Sequence, residues 1–249
     1  MLNPLAKLAL KMMLGPMRRW DKAAGTRPDY YIANSKTVAQ RIEKYYGRES
    51  EVIYPFFKVQ GAKCKVQDEE QRELWTLNFE FWTYYFAVWR CIPYKKFDLL
   101  VDTFNENGKN LVIATATNTP LYRKLKKRSK KNITWIFGAD DEKVARLFEN
   151  AKAYLMPQEE DFGITPIEAM SHGCPVIAYR AGWATETVVE DATWVFFGNQ
   201  NPTVLGRAIE RFEKQTWDRA KCKVQSAKFG EERFEKELRE FVEKVTNNK

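Results

Sequence analysis

The chain has 249 residues, of which 44% are hydrophobic and 14% aromatic. This is enough apolar content for one sizeable core with part of a second, and it argues against a disordered chain. Its 41 Lys and Arg residues exceed its 33 Asp and Glu residues, and the net charge of +8 favours anionic partners. The single histidine, His172, argues against a histidine triad, and four scattered cysteines without a CxxC pair argue against a disulfide framework or zinc site and favour a reducing cytoplasm.

The first 17 residues are apolar but contain Lys7 and Lys11 inside the apolar stretch, where Pro4, Gly15 and Pro16 also interrupt it. A signal peptide carries its basic residues ahead of the apolar core. No apolar run approaches the roughly 20 residues that span a membrane. We therefore predict a short amphipathic helix over residues 1–17 that packs on this protein, with a membrane-surface helix as the alternative.

Short β-rich runs alternate with helical patterns along the rest of the chain. The predicted strands are residues 29–33, 52–54, 79–89, 111–114, 133–136, 153–156, 176–179 and 194–197. The predicted helices are residues 35–46, 97–105, 121–130, 142–150 and 166–171, one near Thr185, and two or three at the C-terminus. The polar residues 58–76 lack a clear period, which predicts a linker or an excursion from the fold. This alternation predicts an α/β fold with a Rossmann-like parallel sheet and helices on both faces, whose ligands bind in the loops after the strands.

Two carboxylates stand out in residues 156–178, which read as strand, loop, helix, turn and strand. Glu160 lies in the loop after the strand, and Glu168 lies eight residues later in the first turn of the helix. Gly163 allows the backbone between them to approach a ligand closely.

Both carboxylates also have a structural interpretation. Thr165, Pro166 and Glu168 fit a capping box with Thr165 at N-cap, Pro166 at N1 and Glu168 at N3. Glu160 stands beside two further acids, and these could complement the dipole of the helix. Capping and ligand binding by Glu168 are compatible, because a carboxylate has two oxygens.

A second block, residues 89–98, follows a strand and opens a helix. It places Arg90, with a guanidinium fork for bidentate contacts, five residues before Lys95, a mobile point charge. The alternative is that both are solvated loop cations.

The two blocks together resemble the motifs of the retaining family 4 glycosyltransferases (glycosyl transferases group 1), which have the GT-B fold. The sequences Glu160-Asp-Phe-Gly-Ile, Glu168-Ala-Met and Gly173-Cys-Pro-Val-Ile-Ala match the family's Glu-x7-Glu signature in spacing and flanks. The resemblance implies that Glu160 is catalytic and contacts the hydroxyls of the donor sugar, and that Glu168 binds the ribose. It implies that Arg90 and Lys95 hold the donor diphosphate. Its further donor-binding positions are Asp161, Phe162, Gly163, Ile164 and Thr165.

Matches to the same family extend from about residue 17 to residue 245. They divide the chain into residues 1–56, a remnant of the acceptor-side N-terminal domain with its crossover; residues 57–228, the nucleotide-sugar-binding domain; and residues 229–249, the C-terminal crossover helix. Transfer needs donor and acceptor held together in one cleft. Because little of the acceptor side is visible, a partner chain would supply it, or the chain is a fragment or has lost catalysis. We expect donor binding without transfer from this chain alone.

The implied activity is that of a hexosyltransferase, closest to mannosyltransferases, with GDP-mannose as the expected donor and a glycan or lipid-linked acceptor, as in polysaccharide biosynthesis. No metal or cofactor is expected. The implied location is the cytoplasm, including peripheral contact with the membrane's cytoplasmic face. One alternative is a non-catalytic homologue that acts as the partner of another glycosyltransferase. A second is a basic nucleic-acid-binding α/β domain built on residues 123–131, for which a solvated helix is the preferred interpretation, so nucleic acid is not an expected partner.

Three turns depart from the family pattern. Residues 115–120 replace a Gly-x-Gly-Pro turn, Gly182-Trp183 replaces Gly-Gly, and Thr193-Trp194 replaces Thr-Gly. Since Trp cannot reproduce the close backbone approach of glycine, these turns predict weakened donor binding. Two smaller predictions concern helix ends: Asp140 caps a helix rather than binding a metal, and His172 lies at a helix C-terminus.

Overall fold

A computed structural model of the protein describes residues 3–57, 83–187 and 193–247. The predicted linker at residues 58–76 and the first part of the strand predicted at 79–89 lie outside these ranges. By their internal contacts the residues form two units, Met1–Pro55 with Lys236–Lys249, and Phe56–Glu235. The three-segment division proposed from the sequence stays a prediction.

The first unit contains a small parallel sheet and helices. Its elements are α1 (Pro4–Ala24), β1 (Ile32–Ala33), α2 (Lys36–Tyr46), β2 (Glu51–Val52) and the C-terminal part of α10 (Glu231–Asn247). β1 and β2 pair in parallel over two residues each, so both are shorter than predicted. The ends of α2 are as predicted: Ser35 accepts from the Val38 N–H at 3.1 Å, and Gly47 stops the helix with φ of +65°.

α1 is longer than predicted, because it continues through Gly15 and Pro16 to Ala24. Strong helix formers on both sides of Pro16 outweigh the single hydrogen bond that proline removes. The Tyr46 hydroxyl donates to Asp21 at 2.9 Å near the end of the helix. Its large apolar side chains are 38–74% exposed, in contrast to the predicted packing on this protein: Leu5, Leu8, Leu10, Met12, Met13, Leu14, Met17 and Trp20. None of the described helices combines the length and apolarity of a membrane span.

The second unit is built on a six-stranded parallel sheet, as the alternation of strands and helices predicted. Its strands are β3 (Tyr84–Val88), β4 (Asn110–Thr115), β5 (Ile133–Phe137), β6 (Tyr154–Met156), β7 (Val176–Tyr179) and β8 (Trp194–Phe197). Their order is β5-β4-β3-β6-β7-β8, and every neighbouring pair is parallel. The chain winds outward from β3 in one direction and from β6 in the other, so the topology switches between these two strands.

Helices follow the strands and cover both faces of the sheet. They are α3 (Phe97–Asn107), α4 (Pro120–Arg128), α5 (Asp141–Asn150), α6 (Ile164–Ser171), α7 (Ala184–Thr187), α8 (Pro202–Glu213), α9 (Arg219–Ala227) and the start of α10. A 3₁₀ turn, Pro93–Lys95, precedes α3. Apart from residues at the ends, these are the predicted helices.

The strands are mostly apolar because both faces of the sheet are largely buried. On one face, strand residues such as Tyr85 and Ile113 form a single core with α3, α4 and α8. On the other face, Phe86 packs on Phe148 of α5 with ring centroids 5.0 Å apart. On that face the Trp194 indole N–H also lies 3.0 Å from the Met170 sulfur of α6. Burial on both faces leaves the strand ends as the places where polar side chains can gather.

Candidate active site

The candidate site lies at the carboxyl edge of the sheet, around the switch between β3 and β6. Arg90 follows β3, and Glu160 follows β6. The turn at Gly182 follows β7. Because all six strands are parallel, these loops meet at one edge, where open α/β sheets bind their ligands.

Lys95 and Glu160, both predicted site residues, are in direct contact. The Lys95 ammonium donates to Glu160 Oε1 and lies 3.7 Å from the centroid of the Trp89 ring and 5.0 Å from that of Tyr94. Lys95 is only 2% exposed, whereas the Glu160 side chain is 17% exposed. The buried ammonium is therefore compensated by one carboxylate and by aromatic rings.

Gln158, which was not among the predicted site residues, also orients Glu160. Its side-chain amide donates to the same carboxylate oxygen at 3.0 Å, and the residue is buried. Its position two residues before Glu160 in the loop after β6 was the available signal. Lys95 and Gln158 thus hold the same oxygen of the Glu160 carboxylate.

Arg90 is exposed, in contrast to Lys95. Among the described residues, its guanidinium makes no hydrogen bond or ion pair. It therefore offers its donors to a ligand without breaking an internal contact.

Threonine hydroxyls of residues 115–120 hold the loop that carries Arg90. These residues replace the Gly-x-Gly-Pro turn of the family pattern. The Cys91 N–H donates to the Thr117 hydroxyl at 2.9 Å, and the Thr119 hydroxyl donates to the Cys91 carbonyl at 2.7 Å. Thr119 also caps α4 by accepting from the Tyr122 N–H at 3.0 Å. The loop after β4 thus supports the Arg90 loop through side chains.

The predicted capping box at the start of α6 is wrong. The N-cap is Gly163, Thr165 and Pro166 are inside the first turn, and no side chain caps the helix. Pro166 is tolerated there because the first N–H groups of a helix have no intrahelical partner. Glu168 therefore lies too far into the helix to bond the N-cap residue.

Glu168 instead presents a carboxyl group in a largely buried place. Burial, with the nearby charge of Asp141, raises its pKa from 4.5 to about 7. Among the described residues, its carboxyl group has no hydrogen-bond partner. Burial raises the pKa of Tyr154, and the negative charges of Glu160 and Glu168 raise it further. Glu168 is thus available as a hydrogen-bond acceptor for a ligand.

The residues between the two carboxylates take different positions. Asp161 and Ile164 are exposed, and Thr165 is buried. Gly163 is buried, and an added Cβ there would lie 3.3 Å from Pro166 Cδ and 3.4 Å from Met156 Cε. The tight neighbours of Gly163 are thus protein atoms.

At residues 183 and 194, where the family pattern has glycine, this chain has a buried tryptophan. Trp183 lies between Phe162, with ring centroids 4.7 Å apart, and Phe229, at 6.1 Å. Trp194 is a fully buried residue of β8, the strand at one edge of the sheet. Both indoles fill the interior of the protein.

The capping role predicted for Asp140 and the position predicted for His172 at a helix C-terminus are confirmed. Asp140 accepts from the Lys143 N–H at 2.8 Å at the start of α5. His172 is the C-cap of α6, and its Nδ1 lies 3.3 Å from a carboxylate oxygen of Glu149.

Comparison with known proteins decides the family. Residues 79–229, which contain every predicted site residue, match the family described as Glycosyl transferases group 1. The chain belongs to this glycosyltransferase family. The GT-B architecture expected from the sequence agrees with the parallel sheet and with the solved structures that it resembles.

Among curated relatives of this glycosyltransferase chain is the alpha-1,3/1,6-mannosyltransferase ALG2 of Homo sapiens, 29% identical over 140 residues. The match covers 51% of this chain and 33% of ALG2, so the chain spans about a third of the length of that relative. A glycosyltransferase structure from Rickettsia africae has a TM-score of 0.75 at 16% identity, covering 88% of this chain and 64% of that one. The structure of Anabaena HepE in complex with UDP-glucose has a TM-score of 0.74 at 17% identity, covering 91% and 67%. At these identities the structures establish the shared fold.

Proposed function

We propose that this chain binds the nucleotide-sugar donor of a retaining hexosyl transfer, with GDP-mannose as the candidate donor. One observation carries the proposal: the buried Lys95 contacts Glu160 where the sheet topology switches between β3 and β6. The likeness to ALG2, a mannosyltransferase, supports a mannosyl donor. The HepE structure, which was solved in complex with UDP-glucose, supports a nucleotide-sugar ligand for this fold.

In the proposed complex, Arg90 and Lys95 bind the donor diphosphate. The exposed guanidinium of Arg90 contacts phosphate oxygens as a bidentate fork. The diphosphate replaces Glu160 as the partner of the Lys95 ammonium, and both cations stabilise the negative charge that grows on the departing diphosphate. Glu160, released from Lys95, then accepts hydrogen bonds from hydroxyls of the sugar.

Glu168 binds the nucleoside end in this proposal. Its ionised carboxylate accepts from two vicinal ribose hydroxyls. The start of α6 contributes as well, because no side chain caps it and its first N–H groups, including those of Ile164 and Thr165, suit an anionic ligand.

The acceptor in this proposal is a glycan or a lipid-linked sugar, and a partner chain or further sequence forms the acceptor side of the cleft. The surface of α1 supports peripheral contact with an anionic membrane. At about 100° per residue, Lys7, Lys11, Arg18 and Lys22 fall within a sector of about 60°, and the exposed Met13 and Trp20 lie opposite. Sedimentation with phosphatidylglycerol vesicles tests this contact. We expect the wild type to sediment with the vesicles and the Met13→Glu variant not to do so. Equal sedimentation of the wild type and the variant would argue against membrane contact through α1.

Isothermal calorimetry with GDP, UDP, GDP-mannose and UDP-glucose tests donor binding. We expect at least one nucleoside diphosphate and its sugar conjugate to bind, with unchanged affinity in EDTA because no metal is proposed. Failure of all four ligands to bind would overturn the proposal. Where a product forms, NMR of its anomeric proton distinguishes retention from inversion.

A further inference from the structure

The turn after β7 lies against the backbone of Glu160. Gly182 has φ of +60°, and a Cβ added there would lie 2.4 Å from the Glu160 carbonyl oxygen. Real Cβ atoms essentially never approach another atom that closely. The carbonyl of Glu160 therefore occupies the space that any other residue at position 182 would need.

The next residue, Trp183, bonds to the same carbonyl. Its backbone N–H donates to the Glu160 oxygen at 3.0 Å. Its indole is fully buried and packs edge-on against Phe162, which lies two residues after Glu160 in the same loop. Trp183 thus contacts the Glu160 loop at two points, one polar and one aromatic.

The contacts of the Glu160 side chain differ in kind from these backbone contacts. Its carboxylate is held by Lys95 and Gln158, and a donor diphosphate would compete for Lys95. The hydrogen bond from Trp183 and the close packing of Gly182 involve only the backbone. They remain when the carboxylate turns to a new partner.

We propose that Gly182 and Trp183 are positioning residues that place Glu160 for the sugar moiety of the donor. The inference rests on the proposed function, in which Glu160 contacts sugar hydroxyls. The Trp that departs from the family's glycine pair takes a role of its own, because it fixes the loop instead of approaching the ligand. Since Arg90 and Lys95 bind the diphosphate from the loop after β3 and Glu168 binds the ribose from within α6, the turn affects affinity for the sugar conjugate much more than affinity for the nucleoside diphosphate.

The test compares Gly182→Ala with Gly108→Ala by calorimetry. Gly108 has φ of +69° but no atom within 4 Å of an added Cβ, so both variants place alanine at a positive φ and only Gly182→Ala meets Glu160. The ligands are GDP with GDP-mannose and UDP with UDP-glucose. For the pair that the wild type binds, we expect Gly182→Ala to raise the Kd of the sugar conjugate about tenfold and to leave that of the nucleoside diphosphate within about twofold. Gly108→Ala should leave both Kd values, and hence their ratio, unchanged.

Two variants of Trp183 keep the test decisive if Gly182→Ala does not fold. Trp183→Phe keeps the backbone donor and an aromatic ring, so the ratio of the Kd of the sugar conjugate to that of the nucleoside diphosphate should stay close to the wild-type value. Trp183→Leu loses the ring and should raise this ratio as Gly182→Ala does. The inference would be overturned if Gly182→Ala and Trp183→Leu weakened the binding of both ligands equally, or left the ratio of the two Kd values unchanged. The proposed function would stand in either case. If the wild type binds none of the four ligands, the proposed function falls and takes the inference with it.

Discussion

The Lys95 ammonium lies 3.7 Å from the centroid of the Trp89 ring while it donates to Glu160. Because the lysine is buried, its charge depends on these partners. We expect Lys95→Met to lower the free energy of unfolding by about 3 kcal/mol, since it leaves Glu160 without its cation. Urea denaturation measures the loss.

The double variant Lys95→Met with Glu160→Gln is the control for that measurement. It removes both charges, so part of the lost stability should return, and the coupling appears as a departure from additivity. Glu160→Gln is also measured alone. If the double variant loses as much stability as Lys95→Met and Glu160→Gln together, the pair is not energetically coupled.

Arg90 is the variant that separates binding from stability. Because its guanidinium is exposed, Arg90→Ala should leave the melting temperature nearly unchanged. It should weaken nucleoside diphosphate binding about tenfold or more, the worth of a charge-assisted hydrogen bond. Arg207→Ala removes another exposed arginine, on α8, and should change neither property. A similar loss of affinity in both variants would indicate a general effect of net charge.

Glu168 should make stability depend on pH. Its pKa in the folded protein is about 7, above the ordinary 4.5, so its contribution to stability is fully present below pH 4.5 and is lost as pH rises through about 7. Glu168→Gln removes this loss and should stabilise the protein at pH 8, relative to pH 5, by on the order of 2–3 kcal/mol. Urea denaturation of wild type and variant without ligand, at both pH values, gives the comparison. Parallel pH profiles would contradict a raised pKa at Glu168.

The same carboxyl group should make donor affinity depend on pH in the opposite sense. Ribose binding uses the ionised form, which at pH 6 is about a tenth of the total, so affinity for a nucleotide sugar should fall about tenfold from pH 8 to pH 6. Nucleotide sugars suit this test because their diphosphate is esterified at both ends and does not titrate in this range. Glu168→Gln should bind weakly with little pH dependence. A wild-type affinity that is flat across these pH values would argue against Glu168 as the ribose ligand.

Thr119 links helix capping to the Arg90 loop. Thr119→Val loses the cap of α4 and the bond to the Cys91 carbonyl, and we expect a loss of about 1–2 kcal/mol of stability with weaker nucleoside diphosphate binding. Ser35→Ala removes only the cap of α2 and should cost about 1 kcal/mol without changing affinity. Thermal melts and calorimetry on both variants show whether the loop contact matters. Unchanged affinity in Thr119→Val would reduce its role to capping.

The sequence predicted the sheet and most helices because their signals are local. A strand buried on both faces, such as β4, is a short apolar run, and caps such as Asp140 are single side chains. The start of α6 was mispredicted because Thr165-Pro166 fits a capping box equally well two residues later. The length of α1 was mispredicted because proline and glycine often end a helix, but α1 continues through both Gly15 and Pro16.

The site residues were found by spacing, but their contacts depend on packing across distant segments. Nothing near Lys95 in the sequence shows that its charge is buried against Glu160, 65 residues away. Trp183 was recognised only as a departure from glycine. Its contacts with Glu160 and Phe162 depend on how the loops after β6 and β7 meet.

The largely buried carboxyl group of Glu168 also affects the heat of binding. Because it is half protonated near pH 7, a ligand that selects its ionised form releases part of a proton to the buffer. The observed enthalpy then includes the ionisation enthalpy of that buffer. Titrations in phosphate and in Tris should therefore give different heats with the same dissociation constant, and the slope against buffer ionisation enthalpy counts the protons that leave Glu168.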